Sequence, residues 1–162
     1  MPAREFVVGV ISDTHGLLRP EALDVLRGSD MIIHAGDVGK PEVIDRLGEV
    51  APVHVVCGNI DQGSWAAALP MTELVEVGDH RFFVLHDIAQ LDVDPVAAGF
   101  AAVVFGHSHR PSIETRNGVL FLNPGSAGPR RFKLPICLAR LRVTGSELRH
   151  ELVELQIDER SA

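Results

Sequence analysis

Cysteine is scarce in this 162-residue chain, which carries only Cys57 and Cys137 and no CxxC pair. That scarcity excludes a disulfide framework and a zinc ribbon and fits a reducing compartment, so a cytoplasmic location is expected. Long apolar runs are also missing. The N-terminal run Phe6–Ser12 is short, interrupted by Gly9, and leads into acidic and polar residues with no small-residue cleavage site. Neither secretion nor membrane spanning is expected. Positive charge is in deficit, with 15 Lys and Arg against 22 Asp and Glu and a formal net charge of −7. Gripping long nucleic acid needs a stripe of cations that displaces counterions, and single strands need aromatic residues interleaved with basic ones; the chain offers neither. A small anionic substrate stays open, because a bound metal can reverse the local field. No repeat, low-complexity stretch or linker divides the chain, which is the size of one domain, and a single domain over 1–162 is expected. Assembly into a homo-oligomer is left open.

What is present is apolar material for a packed core, 46% of residues, with 23% charged for solubility. Val/Ile-rich runs alternate with helix-like segments, the pattern of an α/β fold. Strands are expected at Phe6–Ser12, in MIIHAGD from Met31 and in PVHVVCGN from Pro52, with helices in PEALDVLRGSD and PEVIDRLGEV between them and a short helix in GSWAAALP. The first helix has Pro20 suited to its first position and Gly28 suited to its stop. MTELVEVGDHRFFVLHD reads as a hairpin about Gly78-Asp79, Asp92 to Gly99 as a helix, AAVVFGH as a strand and IETRNGVLFLN as a hairpin about Asn117-Gly118. LPICLARLRV and ELRHELVELQI alternate in polarity, so the C-terminal half is expected to form a second, mostly antiparallel sheet.

The polar residues fall at the ends of these strands. Asp13 and His15 follow the first, Asp37 the second, Asn59 the third, His86 follows FFVL, and His107 and His109 follow AAVVFG. In open α/β sheets ligands bind beyond the carboxyl ends of strands, so seven metal-competent side chains from distant positions are expected at one edge. Gly36, Gly58 and Gly106 immediately precede three of them and allow close backbone approach. Two Asp, one Asn and four His are too many donors for one tetrahedral zinc, and no cysteine joins them. A two-metal site fits better, its ions ~3.5–4 Å apart and sharing a carboxylate and a hydroxide. Two dications against two carboxylates leave a positive pocket for phosphate.

The ordered set D13-T-H15, G36-D37, G58-N59-I60-D61, H86, G106-H107-S108-H109 and N123-P124-G125-S126 resembles the calcineurin-like metallophosphoesterase superfamily. It is similar to the small single-domain branch that holds the YfcE-like and archaeal phosphodiesterases, to which the retromer subunit Vps29 is also similar. The resemblance implies a sandwich of two β-sheets flanked by helices. It implies a first metal on Asp13, His15 and His109, a second on Asn59, His86 and His107, and Asp37 bridging them. Manganese is the expected ion, with Ni²⁺, Zn²⁺, Fe²⁺ or Co²⁺ as alternatives. The implied reaction is hydrolysis of a small phosphate ester by in-line attack of a hydroxide held between the metals, with Asn59 placing the substrate.

Two departures bear on that reaction. Many members of the superfamily carry a histidine after the Asn of the GN motif to protonate the leaving group; here the residue is Ile60. This points to phosphodiesters with good leaving groups, or to protonation by water, with His107 and Asp61 as the remaining catalytic candidates beside Asn59, Asp61 the weaker one and better suited to orienting a ligand. Asp87 stands where this branch often has Gly, either capping the next turn or adding negative charge near the second metal. Gly125, Ser126 and Arg130 are candidate phosphate contacts. His34 and His54 lie within strands and read as hydrogen-bonded core or supporting groups. Cys57, in a Val-rich strand, reads as a buried hydrophobe rather than a nucleophile. A Vps29-like interaction module with a vestigial metal face is the main alternative, and the intact ligand set speaks against it. A nuclease is a third reading, disfavoured by the charge.

Overall fold

The apolar runs of the N-terminal half form parallel strands joined by short helices: β1 (Glu5–Ile11), α1 (Pro20–Leu26), β2 (Met31–His34), α2 (Pro41–Gly48), β3 (Val53–Val55) and α3 (Ser64–Ala67). The protein is seen here as a computed structural model that describes residues 4–157, so both ends of the expected 1–162 domain lie outside the described residues. Pro20 and Pro41 occupy the first turns of α1 and α2, where a missing N–H costs nothing. After α3 come β4 (Thr72–Val77), β5 (His80–Leu85), a 3₁₀ turn at Ile88–Gln90, β6 (Ala102–Val104), β7 (Ser112–Arg116), β8 (Val119–Asn123), β9 (Cys137–Thr144) and β10 (Glu147–Glu154). Among the described residues no helix is long and apolar enough to cross a membrane.

The strands make two five-stranded sheets, ordered β10-β9-β1-β2-β3 and β4-β5-β6-β8-β7. The C-terminal hairpin therefore belongs to the first sheet, not the second as its alternating pattern suggests: β9 runs antiparallel to β1, from Glu5 opposite Thr144 to Val10 opposite Ala139. Period-two alternation fixes which face a residue takes, but not which sheet edge is free to accept the strand. The second sheet is mixed rather than mostly antiparallel, since β5, β6 and β8 are parallel neighbours while β4 and β7 run antiparallel at its edges. Asp92 to Gly99 is not a helix. Asp94 accepts from the Val96 and Ala97 amides, and Gly99 adopts φ +75°, so cap and stop stand too close together for more than one turn.

Alternation explains the layers. Val8 and Val10 of β1 and Ala139, Leu141 and Val143 of β9 face Phe82, Val84, Ala102, Val104, Leu120 and Leu122 of the second sheet, all buried in one core. The opposite face of the first sheet presents Ile11, Ile32 and Leu138 to Leu26 of α1 and Leu47 of α2. Each such large side chain contributes about 1.5–3 kcal/mol through burial. The outer face of the second sheet is covered without an α-helix, by Ile88 and Leu91 packed on Leu85, Val103 and Phe121. The sandwich stacks the carboxyl ends of β1, β2 and β3 beside those of β5 and β6, and the site lies there.

Candidate metal centre

Each candidate ligand sits just past one of these strand ends, and the backbone there is forced into an uncommon shape. Asp13, His15, Asp37, His107 and His109 all have positive φ, between 48° and 76°. For a residue with a Cβ this left-handed conformation costs energy, and it persists only where surrounding structure imposes it, as it commonly does at functional sites. Gly36 adopts φ +99°, and a Cβ there would lie 2.6 Å from His86 Nδ1. A Cβ on Gly58 would strike the Asp37 amide nitrogen and carboxylate. The loop after β2 can close on His86 beyond β5 and on the loop after β3 only with no side chain at those points.

Two groups of donors result. Asp13, His15 and His109 place ligand atoms within 4.8 Å of one another, and so do Asp37, His86 and His107. Asp13 is fully buried; its Oδ2 accepts from Ser12 Oγ at 2.7 Å and from the His107 amide at 3.1 Å. Its Oδ1 has no hydrogen-bond partner, and neither has His15 Nε2. That oxygen faces His109 Nε2 at 3.5 Å and His15 Nε2 at 3.8 Å. Asp37 accepts from the Ile60 amide on Oδ1 at 3.0 Å and turns Oδ2 between the groups, 3.5 Å from His15 Nε2 and 3.2 Å from His86 Nε2.

His86 Nδ1 donates to the Ala35 carbonyl at 2.7 Å, which directs the lone pair of a neutral ring, on Nε2, into the site. Asn59 meets that nitrogen at 3.0 Å and His107 Nδ1 at 3.2 Å. With its amide nitrogen inward, Asn59 donates to both imidazoles and to Asp37. With its oxygen inward, the converging acceptors call for a cation. A buried carboxylate oxygen without a donor, set among imidazole nitrogens, is costly unless a positive ion meets it, so this donor set fits divalent metals.

The titration of these groups agrees. Burial opposes charge on Asp37, but the His86 hydrogen bond, the Ile60 amide and the charges of His86 and His15 outweigh it and draw the carboxyl down to about 2. For His86, burial lowers the pKa, yet the Asp37 bond and the Ala35 carbonyl prevail and raise it. A metal arriving there displaces a proton. His109 is shifted down by burial, and the charge of Arg131 acts in the same direction.

Asp61 faces backbone rather than the open site. It accepts from the Val38, Gly39 and Gly58 amides at 3.2, 2.9 and 2.8 Å, tying the loop of Asp37 to the loop of Asn59. Ser126 is buried behind Asp13, its hydroxyl donating to the Asp13 carbonyl at 2.9 Å, while the Gly125 amide donates to Asn123 Oδ1 at 2.9 Å. Arg130 is exposed. Asp87 caps the 3₁₀ turn through the Ala89 amide.

His34 is the hydrogen-bonded supporting group expected of it, whereas the supporting roles of Thr14 and Asn123 are not legible in the sequence. Buried His34 accepts from the Gly36 amide on Nδ1 at 3.1 Å and meets Thr14 Oγ1 at 3.0 Å through Nε2, and Thr14 in turn donates to the Val38 carbonyl. Asn123 Nδ2 donates to the Gly106 carbonyl and to Ser108 Oγ, holding the turn of His107 and His109. Their signal was faint: polar residues flanking or ending apolar strands, without a ligand-like spacing of their own.

The fold and the donor set together define a metallophosphoesterase. The model of the calcineurin-like phosphoesterase superfamily domain matches residues 6–146, and the chain belongs to that family, which is metal-dependent. It is 33% identical over 159 residues to a probable metallophosphoesterase of Methanothermobacter thermautotrophicus, covering 91% of each chain. A phosphodiesterase of Methanocaldococcus jannaschii is 26% identical over 136 residues, 73% of this chain and 82% of that protein. Chaetomium thermophilum Vps29 shares the fold with a TM-score of 0.82 at 22% identity, over 97% of this chain and 92% of the other.

Proposed function

We propose that the chain is a dinuclear metal phosphoesterase that prefers phosphodiesters, working as a single domain over 1–162. Asp13, His15 and His109 would hold one divalent ion and Asn59, His86 and His107 the other, with Asp37 between them. The observation that carries this reading is the convergence of acceptors: Asp13 Oδ1 has no partner and Asp37 Oδ2 faces imidazoles of both groups. When bound, two such ions, Mn²⁺ foremost, supply a hydroxide nucleophile and neutralise charge on the phosphoryl oxygens.

The chain's own residues position and exclude. Asn59 and His107 are exposed while Asp13, Asp37, His86 and His109 are buried, so a phosphate ester enters from the side of Asn59 and His107. Asp61 keeps Asn59 in place through three backbone amides. Exposed Ile60 brings no proton to the departing alkoxide, which favours esters whose alcohol leaves readily. The free thiols of Cys57 and Cys137 suit action in a reducing cytoplasm.

The test is hydrolysis of bis(p-nitrophenyl) phosphate and p-nitrophenyl phosphate by chelator-treated protein with Mn²⁺, Ni²⁺, Zn²⁺, Fe²⁺ or Co²⁺ added back. Activity should be absent without metal and return with Mn²⁺, kcat/KM for the diester exceeding the monoester by about tenfold or more. Equal or faster monoester turnover refutes the diester preference. No turnover of either ester with any ion refutes the enzyme and favours an interaction module.

A further inference from the structure

A cleft of about 420 Å³ opens beside the exposed half of the candidate centre, reaching Asn59, His86 and His107. Its volume is that of a small-molecule site. Cys57, Met71 and Leu85 supply apolar surface, and two carboxylates, Asp87 and Asp92, stand on its wall. No lysine or arginine lines it. The lip is open, with Met71 70% exposed.

We infer that this cleft holds one ester arm of the substrate and selects an apolar or cationic arm over an anionic one. The inference rests on the phosphoesterase reading for turnover, but not for binding. A phosphate over Asn59 and His107 puts one of its substituents against Met71 and Leu85, where an alkyl or aryl group is shielded from water. Asp87 spends one oxygen on the Ala89 amide, and exposed Asp92 lies further along the same wall. A quaternary or primary ammonium on the arm meets both carboxylates. A carboxylate or second phosphate there is repelled by both and finds no lysine or arginine in the cleft to pair with.

The experiment uses the Zn²⁺-supplemented protein with its methionine methyls labelled. The chain has three methionines, and Met71 alone lines the cleft. Phenyl phosphorylcholine and phenyl 2-carboxyethyl phosphate, diesters of opposite arm charge, are titrated while the Met71 methyl resonance is followed. In parallel, the p-nitrophenyl counterparts are assayed for turnover. The choline diester should shift Met71 saturably and bind roughly fivefold tighter than the carboxyethyl one. Asp92→Lys should erase or reverse that ratio. Equal binding of the two diesters, or a ratio untouched by Asp92→Lys, overturns the inference. Selective binding with no turnover of any diester leaves the cleft assignment standing and removes the phosphoesterase reading instead.

Discussion

At Asp37 a single side chain does two things: one oxygen holds the Ile60 amide and the other lies between His15 and His86. Its backbone at φ 56° is a conformation that Asn tolerates nearly as well as Asp, so Asp37→Asn changes charge while sparing the turn. The lost charge is the one that would screen two neighbouring dications from each other, and the loss should affect both ion sites together. His15 belongs to one group only and is partly exposed, so water can replace it. Asp37→Asn is expected to lower activity by at least about a hundredfold at any metal concentration, with an unchanged circular dichroism spectrum. His15→Ala should recover much of its activity in millimolar-range metal. Activity titrations with Mn²⁺ check both; full rescue of Asp37→Asn would show that the carboxylate is not shared.

Among the elements, the loops that follow β2 and β3 do the aligning, and Asp61 is their common anchor. Asp61→Ala would leave the Val38, Gly39 and Gly58 amides without their acceptor in a largely buried place, at a cost of about 2–4 kcal/mol, while Asp61→Asn, which keeps one acceptor oxygen, should cost less. Urea unfolding of the metal-free variants reads this directly, and an unchanged midpoint for Asp61→Ala would mean that water replaces the carboxylate. How much of this was legible in the sequence follows from the same elements. The strand ends could be read because Asp13, Asp37, His86 and His107 each break an apolar run with a polar, metal-competent residue. The sheet assignment of β9, and of β10 paired to it, could not, because β1, the other partner of β9, lies more than a hundred residues away and alternation fixes faces only. The amide partners of Asp61 were hidden, since an Asp that binds backbone amides and one that orients a ligand directly look alike in a sequence. Asp92 to Gly99 carried true cap and stop signals, but their spacing admits a single turn.

Across the whole molecule, acid should be the condition that separates folding from function, and His34 is the reason. Burial holds its pKa at about 4 against 6.5 for an ordinary histidine. The folded state therefore binds fewer protons than the unfolded one between those values. Stability from this group is complete above pH 6.5, falls as pH drops toward 4, and changes no further below that, a loss on the order of 3 kcal/mol. His109, also lowered by burial, acts in the same direction. The raised pKa of His86 acts oppositely, adding stability below 6.5 that is lost as pH rises through its folded value. Asp37, drawn down to about 2, contributes stability above its ordinary 3.8 and loses it only as pH falls from there toward 2. Between pH 6.5 and 4 the loss should thus be governed by His34, whose Nδ1 must stay unprotonated to accept from the Gly36 amide. His34→Asn offers an uncharged acceptor near the same point, and its unfolding free energy should vary less with pH over that interval than that of the parent chain. Thermal or urea unfolding of the metal-free proteins at half-unit steps measures both slopes; parallel slopes would assign the acid sensitivity to another group.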